Sequence, residues 1–247
     1  YQLPLGLIGI AIGIVLLPDM ARKLRAGNDD QAMHSLNRGL EFALLLTLPA
    51  TVALIVIAGP IIGGLFQHGR FGAEDAAATA AALVAFAWGL PAYVLVKILQ
   101  PGFYAREDTV PPFRFSVVSV VANIVLSLLL FWQFGHVGIA LATALAAWLN
   151  TVLLVLALRR LGFWALDARF RARLPRIALA SAGMGLVLWG LQRGTETWLG
   201  DSFAERGMAL AVLVAAGLAV YALLALALGA ASRADLAGAF RRRQQSP

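Results

Sequence analysis

Seven long apolar runs divide the chain, separated by short polar stretches: Leu3–Pro18, Leu40–Ala58, Ala76–Gln100, Phe115–Phe134, Val137–Leu158, Leu174–Leu191 and Met208–Ala230. A helix needs about 20 apolar residues to cross the hydrocarbon core of a bilayer. Runs that are hydrophobic on every side predict helices, because a strand would leave its backbone groups unpaired in lipid. The pattern therefore predicts an all-α, polytopic membrane protein with about seven transmembrane helices. The segment Gly59–Phe66 is too short to span and is expected to continue the second helix after a kink. The chain opens at Tyr1 without a methionine and is already apolar. It reads as a piece whose beginning lies inside, or just before, a membrane helix.

Composition agrees with the pattern. The chain is 60% hydrophobic and 13% charged, with a mean hydropathy of +0.80. Soluble domains carry about 25% charged residues. The isoelectric point near 10.7 invites a nucleic-acid reading, but the cations cluster between apolar runs, which is membrane topology rather than a nucleic-acid face. Eighteen of the twenty cations are arginine. Alternate connections place sixteen cations on one side and three on the other, with Lys97 left inside a run. The positive-inside rule makes the richer side cytoplasmic, with the C-terminus inside. Gly72 and Gly200 are then expected on the outer side. There is no cysteine, and no HExxH, GxSxG, Walker loop or intramembrane carboxylate pair, so no enzyme chemistry is indicated.

Candidate chemistry concentrates around Lys97–Phe113, KILQPGFYAREDTVPPF. An ammonium at membrane depth is costly and marks a pathway by default. Along a continuous helix, Tyr93, Lys97, Gln100 and Tyr104 share one face. Lys97 either lines a cavity or snorkels to the headgroups. Pro101-Gly102 is expected to break the run ahead of the loop Arg106-Glu107-Asp108, and Pro91 and Pro101 are candidate hinges. Ser116, Ser119, Asn123 and Ser127 form a second polar stripe, and Thr143 and Asn150 a third. Asn123, Ser127 and Thr143 offer oxygens either to a cation such as sodium or to interhelical hydrogen bonds. The pairs Gly9-xxx-Gly13 and Ser181-xxx-Gly185 have the spacing of close helix packing. The arginines of 159–176 enforce topology or meet anionic lipid headgroups.

Four blocks then carry a resemblance. YQLPLGLIGIAIGIVLLP, GPIIGGLFQHGRFGAEDAAATAAAL, KILQPGFYAREDTVPPF and GHVGIALATALAAWLN, in this order, resemble the MurJ (MviN) family of bacterial lipid II flippases, within the MOP exporter superfamily. The resemblance is strongest up to about Leu161. It implies two six-helix lobes around a central cavity, plus two further C-terminal helices bordering a groove for the lipid tail. On that plan residues 1–160 belong to the C-terminal lobe. Residues 161–247 supply the added helices and a basic cytoplasmic tail. The family's cavity arginines are expected upstream, in a first lobe of the same protein. Pro101, Gly102, Arg106, Asp108 and Thr109 belong to the shared loop motif, although Val110-Pro111-Pro112 stands where relatives often have a threonine before the proline. A sodium site in some relatives uses carboxylates, and Ser127 supplies none.

The expected activity is movement of lipid II, or a similar polyprenyl-diphosphate-linked glycan, across the bacterial inner membrane by alternating access. No cofactor is implied beyond coupling to Na+ or the membrane potential. Expected partners are the lipid-linked substrate, membrane lipids and the first lobe, and no nucleic acid. The alternatives are another MOP exporter (an oligosaccharide-lipid flippase or a MATE-like antiporter) or a non-transporting membrane scaffold.

Overall fold

A computed structural model describes residues 1–67, 69–195 and 203–230. The chain forms α1 (Gln2–Arg25), α2 (Asp29–Val56), α3 (Ala58–Phe66), α4 (Ala73–Tyr104), α5 (Val110–Phe134), α6 (His136–Arg160), α7 (Ala168–Thr195) and α8 (Phe203–Ala227). No strand occurs among the described residues. All of these except α3 are long and apolar enough to cross a membrane. The chain is a multi-pass membrane protein. Residue 57 interrupts the helix between α2 and α3, as the short apolar segment after the second run predicted. His68, Gly200, and Arg233, Arg241, Arg242 and Arg243 lie outside the described residues.

The helices outrun the apolar runs. α2 starts at Asp29, well before Leu40, and α7 starts at Ala168, ahead of Leu174. The cations assigned to loops, among them Arg22, Arg38, Arg159 and Arg173, therefore sit on helix ends. A long cationic side chain at a helix end can keep its charge in water without ending the helix. Asp29 and Asp30 occupy the first turn of α2, favourable at the positive end of a helix dipole.

One expectation fails. Pro101-Gly102 does not break the third run, because α4 continues through both residues to Tyr104. Proline removes one donor, here the partner of the Lys97 carbonyl. The backbone of α1 meets that same oxygen, since a Cβ added to Gly13 would stand 3.3 Å from it. Gly102 is buried between neighbours, and a Cβ there would come within 3.1 Å of Leu158 and 3.4 Å of Leu36. The chain turns only at 105–109, where Glu107 takes a positive φ of 60°.

α4 lies at the centre, packed on α1, α2, α3 and α6. α5 packs chiefly on α6, α7 on α2, and α8 on α7 and α3. The main core joins Met20, Leu36, Ile98, Phe103, Leu154 and Leu158. The α4–α6 seam uses small residues. Ala140, Ala142 and Ala144 are buried, and Thr151 Oγ1 donates to Ala92 O at 3.2 Å. Lipid is as apolar as leucine, so close contact and hydrogen bonds hold such a seam rather than the hydrophobic effect.

Contacts sort the connections into two ends. At one end Arg106 Nη2 meets Asp29 Oδ1 at 2.9 Å, and its guanidinium lies 4.2 Å over the Phe163 ring. Asn37 Nδ2 donates to Ala165 O at 2.9 Å. The α1–α2, α4–α5 and α6–α7 connections thus meet there, and they carry most of the cations. At the other end His136 Nε2 lies 3.1 Å from Ala78 O, and α3 at Gly64 meets the backbone of Arg206.

Candidate functional site

The α4 stripe persists as one helical face. Lys97 and Tyr104 are exposed, and Tyr93 and Gln100 are half-buried. The Lys97 stem runs along α1, where a Cβ added to Gly9 would lie 3.5 Å from its Cγ. The Gly9-xxx-Gly13 pair therefore lets α1 approach both the lysine and its carbonyl. α1 is locally a π-helix over Leu5–Ile10, a departure often found at functional positions. Tyr93 Oη is buried without a partner among the described residues, and its ring lies 5.5 Å from that of Tyr1. Lys97 has no carboxylate partner among the described residues, so its charge is available to an anion.

The loop-motif residues divide in role. Pro101 and Gly102 are buried packing residues of α4. Arg106 ties the α4–α5 turn to Asp29. The backbone N–H of Asp108 donates to Phe103 O at 3.2 Å, and Thr109 sits immediately before α5.

The two neutral stripes turn inward on their own helices. Ser127 Oγ donates to Asn123 Oδ1 at 3.1 Å. Thr143 Oγ1 donates to Ile139 O at 2.9 Å, and Ser119 to Phe115 O at 2.8 Å. No group of three or more His, Cys, Asp or Glu able to hold a metal ion occurs among the described residues. Asn123, Ser127 and Thr143 offer neutral oxygens only, and no carboxylate accompanies them in these bonds. Asn150 Oδ1 is buried without a partner among the described residues.

The basic end holds a charge network that the linear pattern does not reveal. Glu41, only 6% exposed, accepts from Arg38 and Arg173, and from Arg169 at 3.3 Å. Arg38 also reaches Asp167. Burial pushes the Asp167 carboxyl up, but the Phe170 N–H, Arg38 and His34 outweigh this and hold it below the usual carboxylate value. Trp164 Nε1 donates to Asn37 Oδ1 at 2.9 Å. Together these bonds fasten α2 to the start of α7. The only signal in the sequence is Glu41 itself, an acid beside an apolar run.

Hollows also open in this part of the bundle. A cleft of about 790 Å³ opens between α1 and α2, polar at the basic end and apolar toward mid-helix. An apolar cavity of about 210 Å³ lies among α2, α7 and α8, lined by Pro49, Ile57, Met184, Leu188 and Tyr221. Tyr221 Oη closes that side by donating to Leu45 O at 2.6 Å.

Comparison with known proteins matches this arrangement to one family. The family model described as "Lipid II flippase MurJ" matches residues 1–209. A probable lipid II flippase MurJ from Rhizobium tropici is 41% identical, over 100% of this chain and 47% of its own length. That from Vibrio cholerae is 37% identical, over 92% of this chain and 43% of its own. The solved structure titled "Lipid II flippase MurJ, inward closed conformation" superposes with a TM-score of 0.74 at 26% identity, covering 91% of this chain and 44% of that one. The chain spans about half the length of the curated relatives it matches.

Proposed function

This chain belongs to the lipid II flippase MurJ family, and from that membership we propose that its protein carries lipid II from the cytoplasmic to the periplasmic leaflet of the bacterial inner membrane. The observation that carries the reading is the superposition on the inward-closed flippase over 91% of the chain. Transport proceeds by alternating access between this segment and a first lobe, with no covalent chemistry. No observation favours the antiporter or scaffold readings. Full-length protein is expected to restore growth to cells depleted of their own lipid II flippase. Failure to do so, with the protein present in the membrane, would overturn the assignment.

The basic end faces the cytoplasm in this reading, by the excess of cations there. This segment has no cysteine, so Gly72→Cys adds its one thiol, in a background with any other cysteines replaced. It is expected to react with an impermeant maleimide added to intact spheroplasts. Protection there, with labelling only after lysis, reverses the orientation.

The substrate's diphosphate needs cations along its path, and Lys97 lies inside the third apolar run of this segment. Losing a charge-assisted hydrogen bond costs about 1.5–3 kcal/mol, roughly tenfold or more in rate. Lys97→Ala is therefore expected to slow flipping about tenfold, with Lys97→Arg retaining most activity. Equal rates for wild type and Lys97→Ala would place this ammonium in the headgroups, away from substrate.

The drive we assign is the membrane potential rather than a cation held by the neutral stripes. Moving an anion outward from a negative interior gains about 2.3 kcal/mol per charge per 100 mV. The polyprenyl tail stays in lipid, beside the apolar cavity of α7 and α8.

A further inference from the structure

The α2–α3 helix carries the sequence of a hinge. Residue 57 interrupts it, Gly59 follows, and Pro60 has no N–H to offer the Val56 carbonyl one turn back. A membrane helix broken in this way is cheap to bend. The fold nevertheless buries the break. Ile57 is 2% exposed and Ala58 4%. Ile57 forms one apolar cluster with Met184 and Leu188 of α7 and Leu213 of α8. Val52, Ala53 and Val56 pack on that cluster from the α2 side of the break, and Ile61 from the α3 side.

Contacts run outward from the break in both directions. Toward the basic end, Gly185 brings α7 against α2, and an added Cβ there would stand 2.5 Å from Val52 Cγ1. Farther along, Tyr221 Oη donates to Leu45 O, and Arg173 reaches Glu41. Toward the other end, Gly64 brings α3 against α8. An added Cβ there would stand 3.3 Å from the Arg206 carbonyl oxygen and 3.6 Å from Leu210 Cδ2. Glu41 and Gly64 lie about 35 Å apart along the helix at 1.5 Å per residue. α7 and α8 therefore hold both arms of the broken helix, and their remaining contacts are chiefly with each other. Bending at residue 57 would pull one arm off this seam. In lipid, no hydrophobic gain elsewhere replaces the packing lost.

We propose that α7 and α8 splint the break at residue 57, so that α2, α3, α7 and α8 turn as one body during transport. The apolar cavity among α2, α7 and α8 then keeps its shape while access alternates elsewhere. The consequence for transport rests on the flippase reading; the rigidity does not.

The test uses full-length protein in proteoliposomes, with any other cysteines replaced. The contact at Gly185 puts its added Cβ and the Val52 Cβ at most about 4 Å apart, close enough for a disulfide. Val52→Cys also removes the methyl group that a side chain at 185 would meet. Oxidation of Val52→Cys/Gly185→Cys by copper phenanthroline is expected to proceed at the same rate, within about twofold, with and without an imposed membrane potential. A rate that falls about fivefold or more in either condition, or a pair that never cross-links, means that α7 leaves α2 and overturns the proposal. Gly64→Cys/Leu210→Cys, bridged by a short bis-methanethiosulfonate, closes the second clasp between α3 and α8. With both clasps closed, lipid II flipping is expected to stay within about twofold of the uncross-linked rate. Flipping that stops on closure and returns with reductant would make residue 57 a working hinge and overturn the splint. Absence of flipping before any cross-link counts against the flippase reading instead, and the oxidation rates still decide the rigidity.

Discussion

Glu41→Gln is expected to lower the stability of the detergent-solubilised protein by about 3 kcal/mol, the scale for removing one partner of a buried ion pair. The carboxylate is 6% exposed and serves Arg38, Arg169 and Arg173 together. Glutamine keeps the shape but turns one oxygen into a donor facing other donors. Arg173, with 16% of its side chain exposed, loses its carboxylate contact to Glu41 where water offers little in exchange. Arg169 is 47% exposed, so water offsets its share. Because the pairs join α2 to the start of α7, the loss should loosen the α6–α7 connection as well as lower the melting point. Thermal unfolding of Glu41→Gln, Arg173→Met and the double variant gives the coupling. Simple additivity, or a loss under about 1 kcal/mol, would mean the cluster is solvated and contributes little.

The second large effect is expected at Gly138. A Cβ there would be driven into the carbonyl oxygen of Leu130 and would sit 2.6 Å from its carbonyl carbon. Both neighbours are backbone, and no rotamer change relieves the clash. Either α5 and α6 spread apart, or the turn at Gly135, with φ of 56°, distorts. Gly138→Ala is expected to cost about 3 kcal/mol, at the upper end of ordinary overpacking. Gly190→Ala makes the control, since nothing lies within 4 Å of its added Cβ. It should gain about 0.5–1 kcal/mol by helix propensity. The two alanines should therefore shift the melting temperature in opposite directions. A neutral Gly138→Ala would contradict the close hairpin.

These two residues show where the linear pattern stops informing. Hydrophobic runs predict the seven spans, because each span must satisfy its backbone internally and be apolar all round. They understate span length, since Asp29–Gly39 and Ala168–Arg173 are helical yet too polar to count as membrane. Pro101-Gly102 reads as a break because both residues end helices in water. Here the proline forfeits one bond and the glycine admits Leu158 and Leu36, so packing prevails over propensity. The polar face of Tyr93, Lys97, Gln100 and Tyr104 is legible from helical spacing alone. That Gly9 and Gly13 address Lys97 is not, because it depends on the register between two helices far apart in sequence. The Glu41 network is hidden for the same reason: its arginines read as topology signals until the fold brings them to one carboxylate.

The turn between α5 and α6 also constrains how this protein is made. Only Gly135 separates the two helices, and just 6% of the apolar window of α5 is buried inside the bundle. A one-residue connection cannot be threaded through a translocation channel as a separate hydrophilic stretch. Among the described residues α5 packs chiefly on α6. The two helices are therefore expected to leave the insertion machinery as a preformed pair, which would make the glycines that shape the mature contact an assembly instruction during synthesis as well.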